Sequence, residues 1–204
     1  EETIYYLGQA YAFVWQNINQ DILFNGNNNS NNKDFDTYLK SLSYNFKNDS
    51  KEYSGYTVLR NKDICLIMDV GSSPNFKYSK DYQSGALSFE IIINQKKLIT
   101  NCGYFKNKAD LNKLSKSTAA QSTLVIDDQS SCNFYRSGNL WLINKGLKVE
   151  KKNIVHEKNY WKINASHDGY FNKYSTIHER EIEFFPEKKI FIGIDKIVKK
   201  KKNY

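Results

Sequence analysis

Three short polar clusters in this chain of 204 residues each place a carboxamide side chain next to a segment with strand character. They are Asp81–Gly85 with Gln83, Asn101–Tyr104 with Asn101, and Thr118–Thr123 with Gln121. If neighbouring strands pair as hairpins, these clusters meet at one rim of a sheet. Carboxamides hydrogen-bond carboxylates and sugar hydroxyls well. The pattern predicts a polar rim, although ordinary turn chemistry also favours Ser, Asn and Gly at such positions.

His178 and Arg180 offer a second kind of chemistry. Alternate side chains of a strand point to the same face, so these two lie together, away from the glutamates between and after them. A histidine can carry a proton near neutral pH, and an arginine can clamp a carboxylate. His167, just before an Asp-Gly turn, is a further candidate proton carrier. We predict His167 and His178 as catalytic residues and Arg180 as a substrate-binding residue; a hairpin flank and a solvated charged face are the alternatives.

Signatures of familiar catalysts and metal sites are absent from the sequence. The chain contains no GxSxG, P-loop, GxGxxG or HExxH motif. Cys65, Cys102 and Cys132 are far apart, with no CxxC or CxxH spacing, so neither a zinc ribbon nor a disulfide framework is supported. Short motifs alone therefore name no reaction.

The charge balance favours a polyanionic partner. The 30 Lys plus Arg against 22 Asp plus Glu give a formal net charge of +8, which suits acidic glycans, nucleic acid or an anionic surface. Lysine is frequent throughout and only the terminal KKKKN run is dense, so a solvated surface is the alternative. No aromatic-basic motif supports nucleic acid. No apolar run approaches the ~20 residues of a membrane span, which predicts no membrane insertion.

The first 50 residues have a helical pattern, and the remainder has a strand pattern. Apolar and aromatic residues recur at helical spacing from Ile4 to Asn19, an Asn-rich loop follows, and a short helix is predicted before residue 50. From Ser54 onward, β-rich runs are bounded by Gly, Asn, Asp or Pro. The predicted strands are a hairpin over 54–70, a hairpin of ALSFEIIIN and KLITNCGYF, and then STLVIDD, GNLWLINKG, NYWKINASHDGYF, TIHEREIEFFPE and KIFIGIDKIV.

Many short strands with near-regular turns indicate an all-β fold, an antiparallel two-sheet β-sandwich. Residues 105–118 are the exception, because their leucines suit a short helix or a long loop across one end of the sandwich. We place a domain boundary near residue 50, with a helical tail over 1–50 and the sandwich over 51–204.

Four linked blocks resemble, in order and spacing, the C-terminal β-sandwich domain of the heparinase II/III-like family, most closely its alphaproteobacterial members. They are GALSFEIIINQKKLITNCGYF, STAAQSTLVIDDQSSC, SHDGY and HERE. The resemblance implies a supersandwich-like fold that follows an (α/α) toroid domain. The helical tail would then be the last remnant of that toroid, and the chain would be a fragment cut short at its C-terminus.

The resemblance also implies a chemistry. Members of this family cleave acidic polysaccharides such as heparin, heparan sulfate or alginate by β-elimination at a uronic acid. The uronate carboxylate must be neutralised, the C5 proton removed and the leaving oxygen protonated. In the family most of these groups come from the toroid. We therefore expect a lyase-like protein whose sandwich forms one rim of the cleft and is inactive alone, in the periplasm or cell envelope. A non-catalytic polyanion-binding or scaffold module is the alternative.

The sequence departs from the family at a zinc site. Some members hold zinc with His, Asp and His, and the matching positions here are Gln83, Asn101 and Gln121. Amides are poor zinc ligands and do not act as bases. We predict no zinc and no other cofactor, and we assign the three amides, with Arg180, to substrate binding. A structural role in tying loops together is the alternative.

Overall fold

The computed structural model describes residues 51–53, 55–94, 96–103, 105 and 108–200. Its strands are β1 (Lys51–Tyr53), β2 (Tyr56–Arg60), β3 (Ile64–Asp69), β4 (Phe89–Ile93), β5 (Lys96–Ile99), β6 (Asn133–Ser137), β7 (Leu140–Lys145), β8 (Val149–His156), β9 (Trp161–His167), β10 (Thr176–Phe185) and β11 (Ile190–Lys199). Its α-helices are α1 (Ala109–Ser115) and α2 (Phe171–Tyr174), with 3₁₀ turns at Phe76–Tyr78 and Thr118–Ala120. The predicted helical tail of residues 1–50 lies outside the described residues.

The strands form two larger sheets and one separate hairpin. One sheet has the order β1-β2-β3-β4-β5, the other the order β11-β10-β9-β8, and β6 pairs with β7. Every pairing of named strands is antiparallel. The predicted all-β antiparallel sandwich is confirmed.

One apolar cluster holds the two larger sheets together. The five-stranded sheet and the loop before β4 contribute aliphatic side chains, and β9 and β10 contribute aromatic and aliphatic ones. The buried members are Leu59, Ile64, Leu66, Met68, Val70, Leu87, Ile91, Trp161, Ile163, Ala165, Ile182 and Phe184. Trp161 meets Phe184 edge to face, with ring centroids 5.0 Å apart. β-Branched and aromatic residues suit such half-buried pleated surfaces, which explains why these runs form strands.

Alternation along β10 turns two predicted site residues inward. His178 and Arg180 are buried on the same face as Ile182 and Phe184, whereas Glu179 and the glutamates that follow are only half-buried. The prediction that His178 and Arg180 share a face is confirmed. Because this face packs on the other sheet, the pair lies inside the sandwich and not on its solvated side.

Alternation in the five-stranded sheet positions a second set of polar groups. Leu66, Met68 and Ile91 face the apolar cluster, so Ile67, Asp69 and Glu90 point to the opposite face. Glu90 lies directly across from Ile67 in the pairing of β3 with β4. Two acidic side chains thus share one face of this sheet.

The structure corrects some of the predicted elements. Residues of the STLVIDD run form turns with a single bridge between Ile126 and Gln129. Asp127 and Asp128 there have φ values of 50° and 54°, a left-handed conformation that Asp tolerates and a strand cannot contain. Both hairpins of the first sheet are confirmed, and the ambiguous segment 105–118 contains helix α1. Strands β1, β6 and β8 were not predicted, because β1 is a short polar segment and polar and lysine residues interrupt the apolar pattern of the other two.

Candidate functional site

The three carboxamides predicted to meet at a rim line one pocket. The loop before β4 brings Gln83, the segment after β5 brings Asn101, and the end of the second 3₁₀ turn brings Gln121. The pocket has a volume of about 100 Å³, room for roughly three water molecules. The other described lining residues are Tyr56, Ile67, Asp69, Asp81, Tyr82, Gly85, Ser88 and Glu90. We call this cavity the amide pocket; binding of substrate by its amides stays a prediction.

The N–H groups of two of the amides donate hydrogen bonds within the protein. Gln83 Nε2 donates to the Gly103 backbone oxygen at 2.7 Å and to Ser115 Oγ at 3.1 Å. Gln121 Nε2 donates to the Ser115 backbone oxygen at 2.7 Å and lies 3.4 Å from Gln83 Oε1. Because backbone carbonyls only accept hydrogen bonds, these contacts fix which end of each amide is nitrogen.

The third amide is fixed in the same way. Asn101 Oδ1 accepts from the Ser122 backbone N–H at 2.8 Å, and its Nδ2 donates to Ser88 Oγ at 3.2 Å. The backbone N–H of Asn101 also donates to Glu90 Oε1 at 3.0 Å. The three amides therefore tie the loops around the pocket together while they line it.

The acidic groups that line the pocket differ in burial: Glu90 is buried and Asp69 half-buried, whereas Asp81 is exposed. Glu90 is 1% exposed, and burial raises the pKa of its carboxyl. Its Oε1 accepts hydrogen bonds, but its buried Oε2 has no hydrogen-bond partner among the residues that the structure describes. Burial also raises the pKa of Asp69 to about 7, against the opposing effect of the Gly71 N–H that it accepts.

A continuous chain of hydrogen bonds runs through the sandwich next to this pocket. The Gly169 backbone N–H donates to His167 Nδ1 at 3.0 Å, and His167 Nε2 lies 3.1 Å from His178 Nδ1. His178 Nε2 lies 2.6 Å from Asp195 Oδ1. Arg180 then binds Asp195 in a bidentate pair, with Nε at 2.7 Å from Oδ1 and Nη2 at 2.8 Å from Oδ2. We call these five residues the histidine chain.

The partners at each end set the protons of the two imidazoles. A backbone N–H can only donate, so His167 Nδ1 accepts and the neutral ring carries its proton on Nε2. That proton points at His178 Nδ1, which leaves the His178 proton on Nε2 for Asp195. Burial, with the nearby His178 and Arg180, lowers the pKa of His167 to about 3. The His178 and Arg180 hydrogen bonds hold the pKa of Asp195 well below its usual range against its partial desolvation.

The predicted catalytic histidines are therefore inside the protein. His167 is 1% and His178 0% exposed, and all four ring nitrogens have protein partners. A group that transfers protons to a substrate must reach it, so this conformation favours a positioning role. Catalysis by His167 and His178 stays a prediction that would require another arrangement of the chain.

Arg180 connects the histidine chain to the amide pocket. Its Nη1 donates to the backbone oxygens of Leu87, at 2.8 Å, and Ser122, at 2.5 Å. Leu87 has a φ of 59°, a costly conformation for a residue with a branched side chain. Arg180 thus holds a strained turn beside the pocket, and with both ends of its guanidinium occupied it has little capacity left to clamp a substrate carboxylate.

A larger, basic cavity adjoins the amide pocket and was missed at the level of sequence. It has a volume of about 620 Å³. Its lining residues are Lys80, Asp81, Gln83, Asp110, Asn112, Lys113, Ser115, Lys116, Arg136, Asn139, Leu140 and Trp141. Asp81 and Gln83 belong to both cavities. We call it the basic groove. Helix α1 forms one wall, and the β6–β7 hairpin forms the other. These two elements are apart in sequence, so their contact could not be predicted from spacing along the chain.

The cations of the basic groove differ in their exposure and in their contacts with the protein. Lys116 Nζ donates to the backbone oxygens of Lys80, at 2.5 Å, and Tyr82, at 2.9 Å, and burial lowers its pKa. Lys113 Nζ lies 5.1 Å from the ring centroid of Trp141. Lys113 and Arg136 are exposed, while Trp141 is half-buried. The groove therefore presents positive charge beside an aromatic face.

Comparison with known proteins decides the family. The sequence profile described as "Heparinase II/III-like, C-terminal" matches residues 48–203. The chain belongs to the heparinase II/III-like family. The predicted family is thereby confirmed, and it gives the chain a polysaccharide lyase-like context.

One curated relative of this heparinase II/III-like chain is the FtsZ-localized protein C of Caulobacter vibrioides. The two are 29% identical over 122 residues, which is 58% of this chain and 21% of that protein. The chain thus spans about a fifth of the length of this relative. No solved structure gave a significant match.

The zinc ion of some heparinase II/III-like proteins does not fit the amide pocket. The three residues at the matching positions are carboxamides whose orientation is fixed by backbone partners, and amides are poor zinc ligands. Within the described part of the chain, no group of three or more His, Cys, Asp or Glu side chains could hold a metal ion. The absence of a cofactor stays a prediction.

No helix among the described residues is both long and apolar enough to cross a membrane.

Proposed function

We propose that this chain is part of a polysaccharide lyase-like protein that acts on acidic, uronate-containing polysaccharides by β-elimination, and that its basic groove binds the polyanion. The groove carries this proposal. Exposed Lys113 and Arg136 flank Trp141 in a cavity of about 620 Å³, a volume in the usual range for ligand pockets. Cationic side chains suit uronate carboxylates, and an aromatic face suits the apolar side of a sugar ring.

In this proposal the basic groove, and not the three amides, binds the uronate carboxylate of the substrate. The N–H groups of Gln83, Asn101 and Gln121 are engaged within the protein, so neutralising a uronate carboxylate falls to Lys113 and Arg136. Gln83 lines both cavities and is the best placed of the predicted residues to contact a substrate. Arg180 and the two histidines act in this proposal as positioning residues for the loops of the rim.

Substitutions in the groove test the binding. We expect Lys113→Gln with Arg136→Gln to weaken binding of alginate or heparin about tenfold or more and to reduce its dependence on salt, because two cations are removed from the contact. Trp141→Ala should weaken binding with no change in salt dependence. Lys158→Gln with Lys188→Gln is the matched control, since it removes two exposed cations outside the groove. Equal losses in both double variants, or salt-insensitive binding of a neutral glycan, would contradict the proposal.

Turnover separates the enzyme from a binding module. A longer protein carrying the toroid, incubated with polyuronates, should release products with the ultraviolet absorbance of an unsaturated uronate, while the 204-residue chain alone should bind without turnover. The alternative is a non-catalytic polyanion-binding or scaffold module. It is favoured by the engaged histidines, and binding without turnover by the longer protein would support it.

The compartment is part of the same proposal. An acidic polysaccharide as partner suggests the periplasm or cell envelope, and the toroid of the same protein would close the other side of the cleft.

A further inference from the structure

The glutamines of the amide pocket present acceptors and not donors to a ligand. An N–H group of each amide donates within the protein, to Gly103, Ser115 or Ser88. Gln121 Oε1 makes no hydrogen bond in the described part of the chain, and Gln83 Oε1 has only the 3.4 Å contact from Gln121. A carboxylate that approached these two amides would meet oxygen atoms, which repel it.

The pocket is also acidic. Its described lining includes three carboxyl groups, Asp69, Asp81 and Glu90, and no lysine, arginine or histidine. Glu90 is the decisive one, because it is 1% exposed and its buried Oε2 has no hydrogen-bond partner in the described part of the chain. Leaving a buried carboxyl oxygen unpaired costs free energy that a bound donor would recover.

We propose that the amide pocket binds the protonated primary amine of an unacetylated amino sugar, with Glu90 Oε2 as its charged acceptor. This rests on the proposed function in that the same polysaccharide would place an acidic residue in the basic groove. The two cavities share Asp81 and Gln83, so neighbouring sugars of one chain can occupy both. The volume of about 100 Å³ holds one pendant group and not a whole ring.

An ammonium group suits this pocket better than a metal ion. It has three N–H donors in a compact cation, and the residues that line the pocket include Glu90, with its unpaired oxygen, and Gln83 and Gln121, with their amide oxygens. Within the described residues, the acidic side chains do not form a group of three that could hold a metal.

Calorimetric titration with monosaccharides tests the proposal. We expect the 204-residue chain to bind glucosamine about tenfold tighter than N-acetylglucosamine or glucose, the ratio that one added charge-assisted hydrogen bond gives. Glu90→Gln keeps the acceptor oxygen for the Asn101 N–H but loses the charge, and it should bring the ratio close to one. Glu150→Gln, which removes an exposed carboxylate elsewhere, should leave the ratio unchanged.

A second variant and a set of contradicting outcomes complete the test. If Glu90→Gln fails to fold, Asp81→Asn removes an exposed charge at the mouth of the pocket and should lower the ratio to a smaller extent. Equal binding of the three sugars, or a glucosamine preference that Glu90→Gln and Asp81→Asn leave intact, would overturn the proposal. So would calcium ions that bind alone at one per chain and exclude glucosamine.

Different variants test the proposal for the basic groove and the proposal for the amide pocket. The Lys113→Gln and Arg136→Gln variant should lose polyuronate binding and keep the glucosamine ratio. Glu90→Gln should lose the ratio and keep binding of a polyuronate such as alginate, which has no amine.

Discussion

The orientation of individual side chains explains why the site differs from the one that the sequence predicts. Gln83, Asn101 and Gln121 converge on one pocket, and that convergence follows from hairpin pairing and could be predicted. Their orientation could not, because it depends on Gly103, Ser115 and Ser122, which are distant in sequence and whose backbone groups decide which end of each amide turns inward. Glu90 was missed because a lone Glu within an apolar strand carries no motif.

At Asp195 the structure predicts a large effect of one neutral substitution. Asp195→Asn leaves Arg180, which is 6% exposed, as a buried guanidinium without its charged partner. Because the Asp195 side chain is itself 35% exposed, water screens part of this effect, and we expect a loss of about 2 kcal/mol in the free energy of unfolding. Denaturant titration measures it. The matched control is Glu150→Gln, which breaks the exposed pair with Lys200 and should change stability by less than about 1 kcal/mol. Similar losses in the two variants would contradict the role of Asp195 as the charged partner of a buried guanidinium.

At the scale of elements, strands were predictable and their connections were not. β10 and β11 have strong apolar and β-branched patterns and were placed from sequence, whereas the run after Gln121 resembles a strand but forms turns. Its first residue, Ser122, is bonded to β4 by its side chain: Ser122 Oγ accepts from the Phe89 N–H at 2.8 Å and donates back to the Phe89 oxygen. A single side chain thus replaces a strand partner at the start of β4.

Ser122→Ala tests this substitute pairing. The change removes both hydrogen bonds and leaves the Phe89 N–H without a partner, so we expect a loss of about 1–2 kcal/mol. Ser117→Ala is the control, because the Ser117 hydroxyl donates only to the exposed turn at Leu114; it should change stability by less than about 0.5 kcal/mol. Midpoints of chemical denaturation give both values, and a smaller loss for Ser122→Ala than for the control would show that the loop is held by other contacts.

At the scale of the whole molecule, the family could be predicted from the linked sequence blocks, and the sandwich fold could be predicted from the spacing of the strands. It could not give the basic groove, because α1 and the β6–β7 hairpin meet only in three dimensions. The net charge of +8 predicted a polyanionic partner without locating it; the groove places some of that charge beside Trp141.

The stability of the whole domain should depend on pH through the histidine chain. His167 has a lowered pKa of about 3 in the folded state, against an ordinary 6.5, so the unfolded chain binds its proton first. The stability that the neutral ring provides is complete above pH 6.5 and is lost as pH falls toward 3. Asp69, whose folded pKa is raised to about 7, contributes with the opposite sign over the same range, so the effect of His167 is measured as a difference between variants. Asp195, whose pKa is also lowered, adds a further loss below its ordinary value of 3.8.

Thermal unfolding across pH 3 to 7 checks this order. Compared with the unchanged chain, His167→Gln should lose less stability as pH falls from about 6.5 to 4, and Asp195→Asn should lose less only at the lower end of the range. An unchanged profile between 6.5 and 4 in His167→Gln would show that His167 is not the group that titrates there.

The Gly169 backbone meets two demands at once. Its N–H fixes the first imidazole of the histidine chain, and a Cβ added at this residue would lie 2.7 Å from the Ser131 backbone oxygen and 3.0 Å from His167 Nδ1. A Cβ at this residue would have to displace the Ser131 backbone and the His167 ring together. This corner of the fold therefore accepts no side chain larger than hydrogen unless a loop and an imidazole move in the same step.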